Sequence, residues 1–205
     1  MLASLAFIAV AYLTGSVSFA VVVSKVFRLP DPHTYGSGNP GATNVLRTGN
    51  RAAAAITLIG DGAKGWLAVW LAQKLGPSFA VADWTVAAVM LAVFIGHLFP
   101  VYHGFKGGKG VATAAGILLA LQDGNASGWP LVLMLALVWL VMAYGFKISS
   151  LAALTAAALA PFGAFYVFGN TAVAWAMVPI ALLLFWRHRA NIHKLFAGEE
   201  RTIGR

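Results

Sequence analysis

Gly36-Ser37-Gly38-Asn39-Pro40-Gly41-Ala42-Thr43-Asn44-Val45-Leu46-Arg47 is a polar island in an apolar chain. Apolar runs flank it, about Leu2 to Val23 before it and about Ala53 to Leu75 after it. Each meets the roughly 20 residues that cross a bilayer as a helix. Gly36, Gly38 and Gly41 match G-x-G-x-x-G, and Asp61 follows where a dinucleotide-binding fold places its acid. That fingerprint requires a strand ahead of it and a βαβ unit around it. Asp31-Pro32-His33-Thr34-Tyr35 stands there instead, and no parallel-sheet pattern follows. The stretch is therefore a loop between membrane helices, and the expected fold is an all-α membrane protein.

The chemistry of the island points to an anion. Glycines let backbone N–H groups converge on one point, and such a nest binds negative charge. Thr43 or Asn44 is placed to cap a following helix, whose free N–H groups add a second anion site. Arg47 lies one turn after Thr43, so its guanidinium reaches the same face. A plain glycine-rich turn would leave these hydrogen-bonding side chains without a purpose. The reading is a phosphate-binding loop at a membrane surface.

Composition supports the membrane. Of 205 residues 60% are hydrophobic and 10% charged, and the mean hydropathy is +0.81, far from the balance of a soluble domain. The net charge of +8 sits in positives scattered at the ends of apolar runs. That placement reads as topology and as attraction for anionic lipid or a phosphorylated substrate, with no nucleic acid as partner. The chain has no Cys, which removes disulfides, thiolate catalysis and cysteine metal sites.

Seven spans follow from the apolar runs: about 2–23, 53–75, 84–101, a short one at 111–121, 129–146, 151–168 and 171–186. Twelve of the fourteen Lys and Arg then fall on one side: Lys25, Arg28, Arg47, Arg51, Lys106, Lys109, Lys147, Arg187, Arg189, Lys194, Arg201 and Arg205. The positive-inside rule makes that side cytoplasmic, with the N-terminus outside and the C-terminus inside. Every polar island shares that side. No linker or internal repeat divides the chain, so residues 1–205 are one polytopic domain.

The second predicted span carries Gly60-Asp61-Gly62-Ala63-Lys64-Gly65. A charge at mid-bilayer costs about 2.5–3.5 kcal/mol on insertion scales, and spacing i,i+3 lets Asp61 and Lys64 pair on one face. Three glycines in six residues also allow the helix to unwind there. A structural ion pair and a substrate role are both open.

Gly104-Phe105-Lys106-Gly107-Gly108-Lys109-Gly110 resembles a P-loop but lacks the Ser or Thr after its lysine and a strand before it. Its glycines and lysines still make a second anion site ahead of a helix. His97 and His103 flank it, with packing the commoner role for such histidines. Ser149-Ser150 beside Lys147 reads most simply as a helix cap. In Arg187-His188-Arg189-Ala190-Asn191-Ile192-His193-Lys194, two histidines and an asparagine exceed what topology requires. None of the five histidines has Asp five residues later, no G-x-S-x-G elbow exists, and the few acids do not cluster as metal ligands.

The runs GSGNPGATNVLR, GDGAKG, GHLFPVYHGFKGGKGVAT, KISSLAAL and HRANIHKL, in this order, resemble the bacterial acyl-phosphate:glycerol-3-phosphate acyltransferases over nearly the whole chain. The resemblance implies an inner-membrane enzyme of the first step of phosphatidic acid synthesis. It implies acyl transfer from acyl phosphate to the 1-hydroxyl of glycerol 3-phosphate, giving lysophosphatidic acid and phosphate, with no cofactor and no metal. Acyl phosphate is already an activated anhydride, so the site has only to hold two phosphates together and aim a hydroxyl at a carbonyl. On this reading the catalytic set is Ser37, Asn39, Thr43, Arg47, Lys109, His188 and Asn191. Gly36, Gly38, Gly41, Ala42, Asn44, Lys106, Gly107, Gly108, Ser149, Ser150 and His97 complete the binding sites. The loop 37–43 takes the acyl phosphate's phosphate; Arg47, Lys109, Ser150, His188 and Asn191 take glycerol 3-phosphate. The proton acceptor is the substrate phosphate or a histidine. A transporter of a phosphorylated anion would need polar groups at the midplane or on both faces, which only Asp61 and Lys64 partly supply. A scaffold protein leaves the glycine-rich loops unexplained.

Overall fold

The computed structural model describes residues 1–82 and 84–203; Arg205, one of the positives expected inside, lies outside them. Helices stand at each apolar run. They are α1 (Leu2–Gly15), α2 (Phe19–Val26), α3 (Ala42–Leu46), α4 (Arg51–Leu75), α5 (Thr85–Leu98), α6 (Val111–Ala120), α7 (Trp129–Phe146), α8 (Ser149–Phe168), α9 (Ala172–Arg187) and α10 (Arg189–Phe196). Residues 85–103, α7 and α8 are long and apolar enough to cross a bilayer, and α1 with α2 makes a fourth such span bent by 43°. The helices α6 and α9 are apolar but shorter, and α4, at 25 residues, carries buried Asp61 and Lys64.

Three expectations change. The first run is not one straight helix: it breaks between Gly15 and Phe19. The break leaves the Val17 carbonyl without a helical donor, and the Lys64 ammonium supplies one at 2.7 Å. A buried ammonium needs acceptors, and a freed carbonyl needs a donor, so each offsets the other's desolvation. Next, the glycines of Gly60–Gly65 do not unwind α4, which is continuous through them. They thin it instead. A Cβ on Gly116 of α6 would run into the Gly62 carbonyl, and one on Gly65 into the Thr113 carbonyl, so α4 and α6 pack backbone to backbone as small residues allow in membranes. Last, the chain is not helix and loop alone, because the turn at 122–128 carries two short strands. Its strands β1 (Gln122–Asp123) and β2 (Ala126–Ser127) form a two-residue antiparallel ladder, the one departure from all-α among the described residues.

The α1–α5, α4–α6, α7–α8 and α8–α9 contacts build the bundle around a core of Phe94, Met90, Leu98, Ile117, Leu118, Met177 and Ile180. Asn50 and Thr171 cap α4 and α9 with their side-chain oxygens. Because the helices alternate direction, the start of α6, the start of α8, the end of α9 and the short α3 meet around one cavity.

Candidate active site

That cavity has a volume of about 520 Å³. One end is polar, lined by Ser37, Asn39, Thr43, Arg47, Lys109, Ser150, His188 and Asn191; the rest is an apolar shaft of Leu118, Leu135, Trp139, Ala157, Met177 and Leu184. Gly41, Ala42, Asn44, Ser149 and His97 also line it. Every member of the expected catalytic set therefore borders one space, although the set comes from three separate segments of sequence.

Asn44 holds the first loop together. Its Nδ2 donates to the Pro32 and Tyr35 carbonyls at 2.9 and 3.2 Å, while its Oδ1 accepts from the Ser37 N–H at 3.0 Å and from Arg47 Nη1 at 3.1 Å. It thus fixes the loop and aims Arg47, and does not cap a helix. The residue at the start of α3 is Gly41, with no side-chain cap. The remaining Arg47 donors are free to serve the cavity.

At the other wall a chain of polar contacts runs through the C-terminal segment. Lys109 Nζ donates to Asn191 Oδ1 at 2.5 Å. Asn191 Nδ2 donates to Glu200 Oε1 at 2.6 Å, which also accepts from Ser150 Oγ at 2.7 Å. Ser150 is thus a donor to Glu200 and not a helix cap. Burial holds the Lys109 ammonium down, to a pKa of about 8, although Glu200 pulls it back up. Burial, with Lys109 nearby, likewise pushes the His188 imidazolium down to about 4. His188 is therefore neutral at pH 7. Its Nδ1 faces the Leu184 carbonyl at 2.8 Å and must donate to it, which leaves Nε2 as the acceptor nitrogen.

Five expected binding residues do not reach the cavity. Gly36 (φ 61°) and Gly38 (φ 65°) are left-handed turn positions, with Gly36 pressed against the Asn44 side chain. Lys106 is exposed, and its carbonyl meets His33 Nε2 at 3.0 Å. Gly107 and Gly108 are buried behind Lys109. The Gly108 N–H is spent on the His97 carbonyl at 3.1 Å, so that loop is no open N–H nest. Of the second island, Lys109 supplies the charge at the cavity.

Glu200 and Arg201 also line the cavity and were not expected there. The sole signal was a carboxylate in a basic tail; that the tail folds back, with the Ile203 N–H on the Lys147 carbonyl at 2.7 Å, is a tertiary fact. Asp61 lines the cavity too. Its Oδ1 lies 2.8 Å from Lys64 Nζ and 3.7 Å from His97 Nδ1, an electrostatic contact without a well-directed hydrogen bond.

Such a site offers cations and neutral donors suited to a phosphate, and an apolar lining suited to an alkyl chain. Residues 5–198 match the family model described as glycerol-3-phosphate acyltransferase. A glycerol-3-phosphate acyltransferase of Cupriavidus pinatubonensis is 60% identical over 99% of this chain and 98% of its own. One from Neisseria meningitidis serogroup B is 56% identical over 96% of each. The crystal structure of PlsY (YgiH), an integral membrane glycerol 3-phosphate acyltransferase in its glycerol 3-phosphate form, superposes with a TM-score of 0.87 at 35% identity. It covers 98% of this chain and 96% of that one, and the lysophosphatidic acid form matches at 0.86. With a polar pocket over an apolar shaft, and this likeness along nearly its whole length, the chain belongs to the glycerol-3-phosphate acyltransferase family of integral membrane acyltransferases.

Proposed function

We propose that the acyl donor is acyl phosphate and that the products are lysophosphatidic acid and phosphate. The observation that carries this is one cavity of about 520 Å³ with cations at its polar end and an apolar lining over the rest. Ser37, Asn39 and Thr43 hold the donor's phosphate. Arg47, Lys109 and Asn191 hold glycerol 3-phosphate, with Ser150 beside them.

The 1-hydroxyl oxygen attacks the carbonyl carbon, the carbonyl-to-phosphate C–O bond breaks, and the hydroxyl proton ends on the departing phosphate. His188 accepts a hydrogen bond from that hydroxyl at Nε2 and orients it. With a pKa of about 4 it is a weak base, so the phosphate is the better proton acceptor. Holding both substrates in near-attack geometry supplies most of the acceleration.

The enzyme sits in the cell inner membrane with seven spans, its N-terminus outside and its C-terminus and site facing the cytoplasm. The crowding of Lys and Arg at the polar ends of the helices supports that orientation. Sealed vesicles test both statements at once. Inside-out vesicles given acyl phosphate and glycerol 3-phosphate are expected to release phosphate, and right-side-out vesicles are not. Equal rates with acyl-CoA as sole donor would refute the mechanism, and equal rates in both vesicle types the orientation.

A pH dependence follows from Lys109. Its folded-state pKa is lowered, so it is charged below about 8 and neutral above. For glycerol 3-phosphate, kcat/KM is therefore level up to that pH and then falls about tenfold per unit. Lys109→Arg, whose guanidinium stays charged, should remove this alkaline limb. A limb that stays at the same pH in the variant would assign it to another group.

A further inference from the structure

Arg187 does not border the cavity, and topology alone accounts for a positive charge at this helix end. Its geometry shows more. Nε donates to the Gly108 carbonyl at 3.0 Å and Nη2 to the Gly107 carbonyl at 2.5 Å, while the guanidinium lies 5.9 Å from the Phe99 ring centroid. The fork thus spans two consecutive carbonyls. On the opposite side of the same two residues is His97. Its carbonyl takes the Gly108 N–H, and its ring leaves no room for a Cβ on Gly108. A Cβ on Gly107 would strike the His97 and Leu98 carbonyls. The dipeptide is held from both faces.

The next residue is Lys109, whose tip is held by Asn191. Arg187 and Asn191 are four positions apart on one continuous segment. That segment grips the lysine at both ends, by the backbone before it and by the ammonium. We propose that Arg187 is a positioning residue: it sets the Gly107–Gly108 backbone and so places the Lys109 ammonium at the polar end of the cavity. This rests on the reading of Lys109 as a glycerol 3-phosphate contact. Lysine at 187 keeps the charge but is a single point donor and cannot bridge two carbonyls in a fixed plane.

The test is a kinetic cycle on the purified full chain, with KM and kcat measured for glycerol 3-phosphate. Lys109→Gln examines the underlying reading and should lower kcat/KM about tenfold to hundredfold, the worth of a hydrogen bond to a charged group. Arg187→Gln should cost no more than Lys109→Gln, about tenfold up to a hundredfold, since a shift near 1 Å in a binding group has an effect of that size. Arg187→Lys should show a loss in the same parameter, with the acyl phosphate KM unchanged. Arg189→Lys is the control. Arg189 is exposed and lies over Trp186 at 4.6 Å, and its substitution should be silent.

The deciding measurement is Arg187→Gln combined with Lys109→Gln. A positioning role predicts a double variant within about twofold of Lys109→Gln alone, because both changes remove one interaction. Multiplied losses would overturn the proposal, as would wild-type kinetics in Arg187→Lys and Arg187→Gln. Wild-type kinetics in Lys109→Gln would instead remove the reading on which it rests. Should Arg187→Gln not accumulate folded, Arg187→Lys takes its place in the cycle and the same outcomes decide.

Discussion

Asp61→Ala is expected to cost about 3–5 kcal/mol, the largest stability effect of any single change considered, because it strands a buried cation. Lys64 and Asp61 are 4% and 3% exposed, so the ammonium could not reach water by a rotamer change. Its remaining partner would be the neutral Val17 carbonyl at 2.7 Å. The loss should appear as a fall in the midpoint of thermal unfolding in detergent and in the folded fraction recovered from membranes. Adding Lys64→Met should restore much of it, since an apolar pair of similar volume is often no worse than a buried ion pair. Restoration should not be complete. The Val17 carbonyl at the α1–α2 break would lose its donor, and an unsatisfied buried acceptor costs about 1–3 kcal/mol. An Asp61→Ala protein with the wild-type midpoint would show that the pair contributes nothing to the fold.

The second large effect is kinetic. Arg47→Lys should lower kcat/KM for glycerol 3-phosphate by about tenfold to hundredfold, the loss of one hydrogen bond to a charged group. Asn44 Oδ1 accepts from Arg47 Nη1 at 3.1 Å, which fixes the plane of the fork and turns its remaining donors into the cavity. A lysine keeps the charge and loses that plane. The deficit should fall mainly on the KM for glycerol 3-phosphate, with the acyl phosphate KM little changed. Membrane insertion should survive, because the positive charge remains. Arg51→Lys is the matched control, at the first position of α4 and outside the cavity. Equal, near-wild-type kinetics in the two would make Arg47 an anchor and misplace the glycerol 3-phosphate site.

The sequence by itself determined the class of protein and the places of its helices. Both follow from a local property: the transfer free energy of some 20 successive side chains decides whether a segment favours the bilayer. It also brought the polar islands to one end, since helices joined by short turns alternate direction. The long motifs carried the family, and the expected catalytic set, from Ser37 to Asn191, all borders the cavity.

What the sequence left open depended on contacts distant along the chain. Residue type is the same for Arg47, Arg51, Arg187 and Arg189, and the sequence reading put all four on one side of the membrane, yet one faces the cavity, one starts a helix, one braces a loop and one covers a tryptophan. The Arg187 and Lys109 contacts join residues 79 to 82 positions apart, beyond any local pattern. The glycines show the same limit. Gly107 and Gly108 read as an anion nest, but a backbone N–H serves one acceptor well, and the His97 carbonyl takes the one on Gly108. Gly62 and Gly65 suggested an unwound helix; the tertiary structure uses the missing side chains of Gly65 and of Gly116, which faces Gly62, to seat α6 against α4. Glu200 reached the site only because the tail folds back. A glycine or a charge states what a position permits, and only the packed neighbours decide which permission is used.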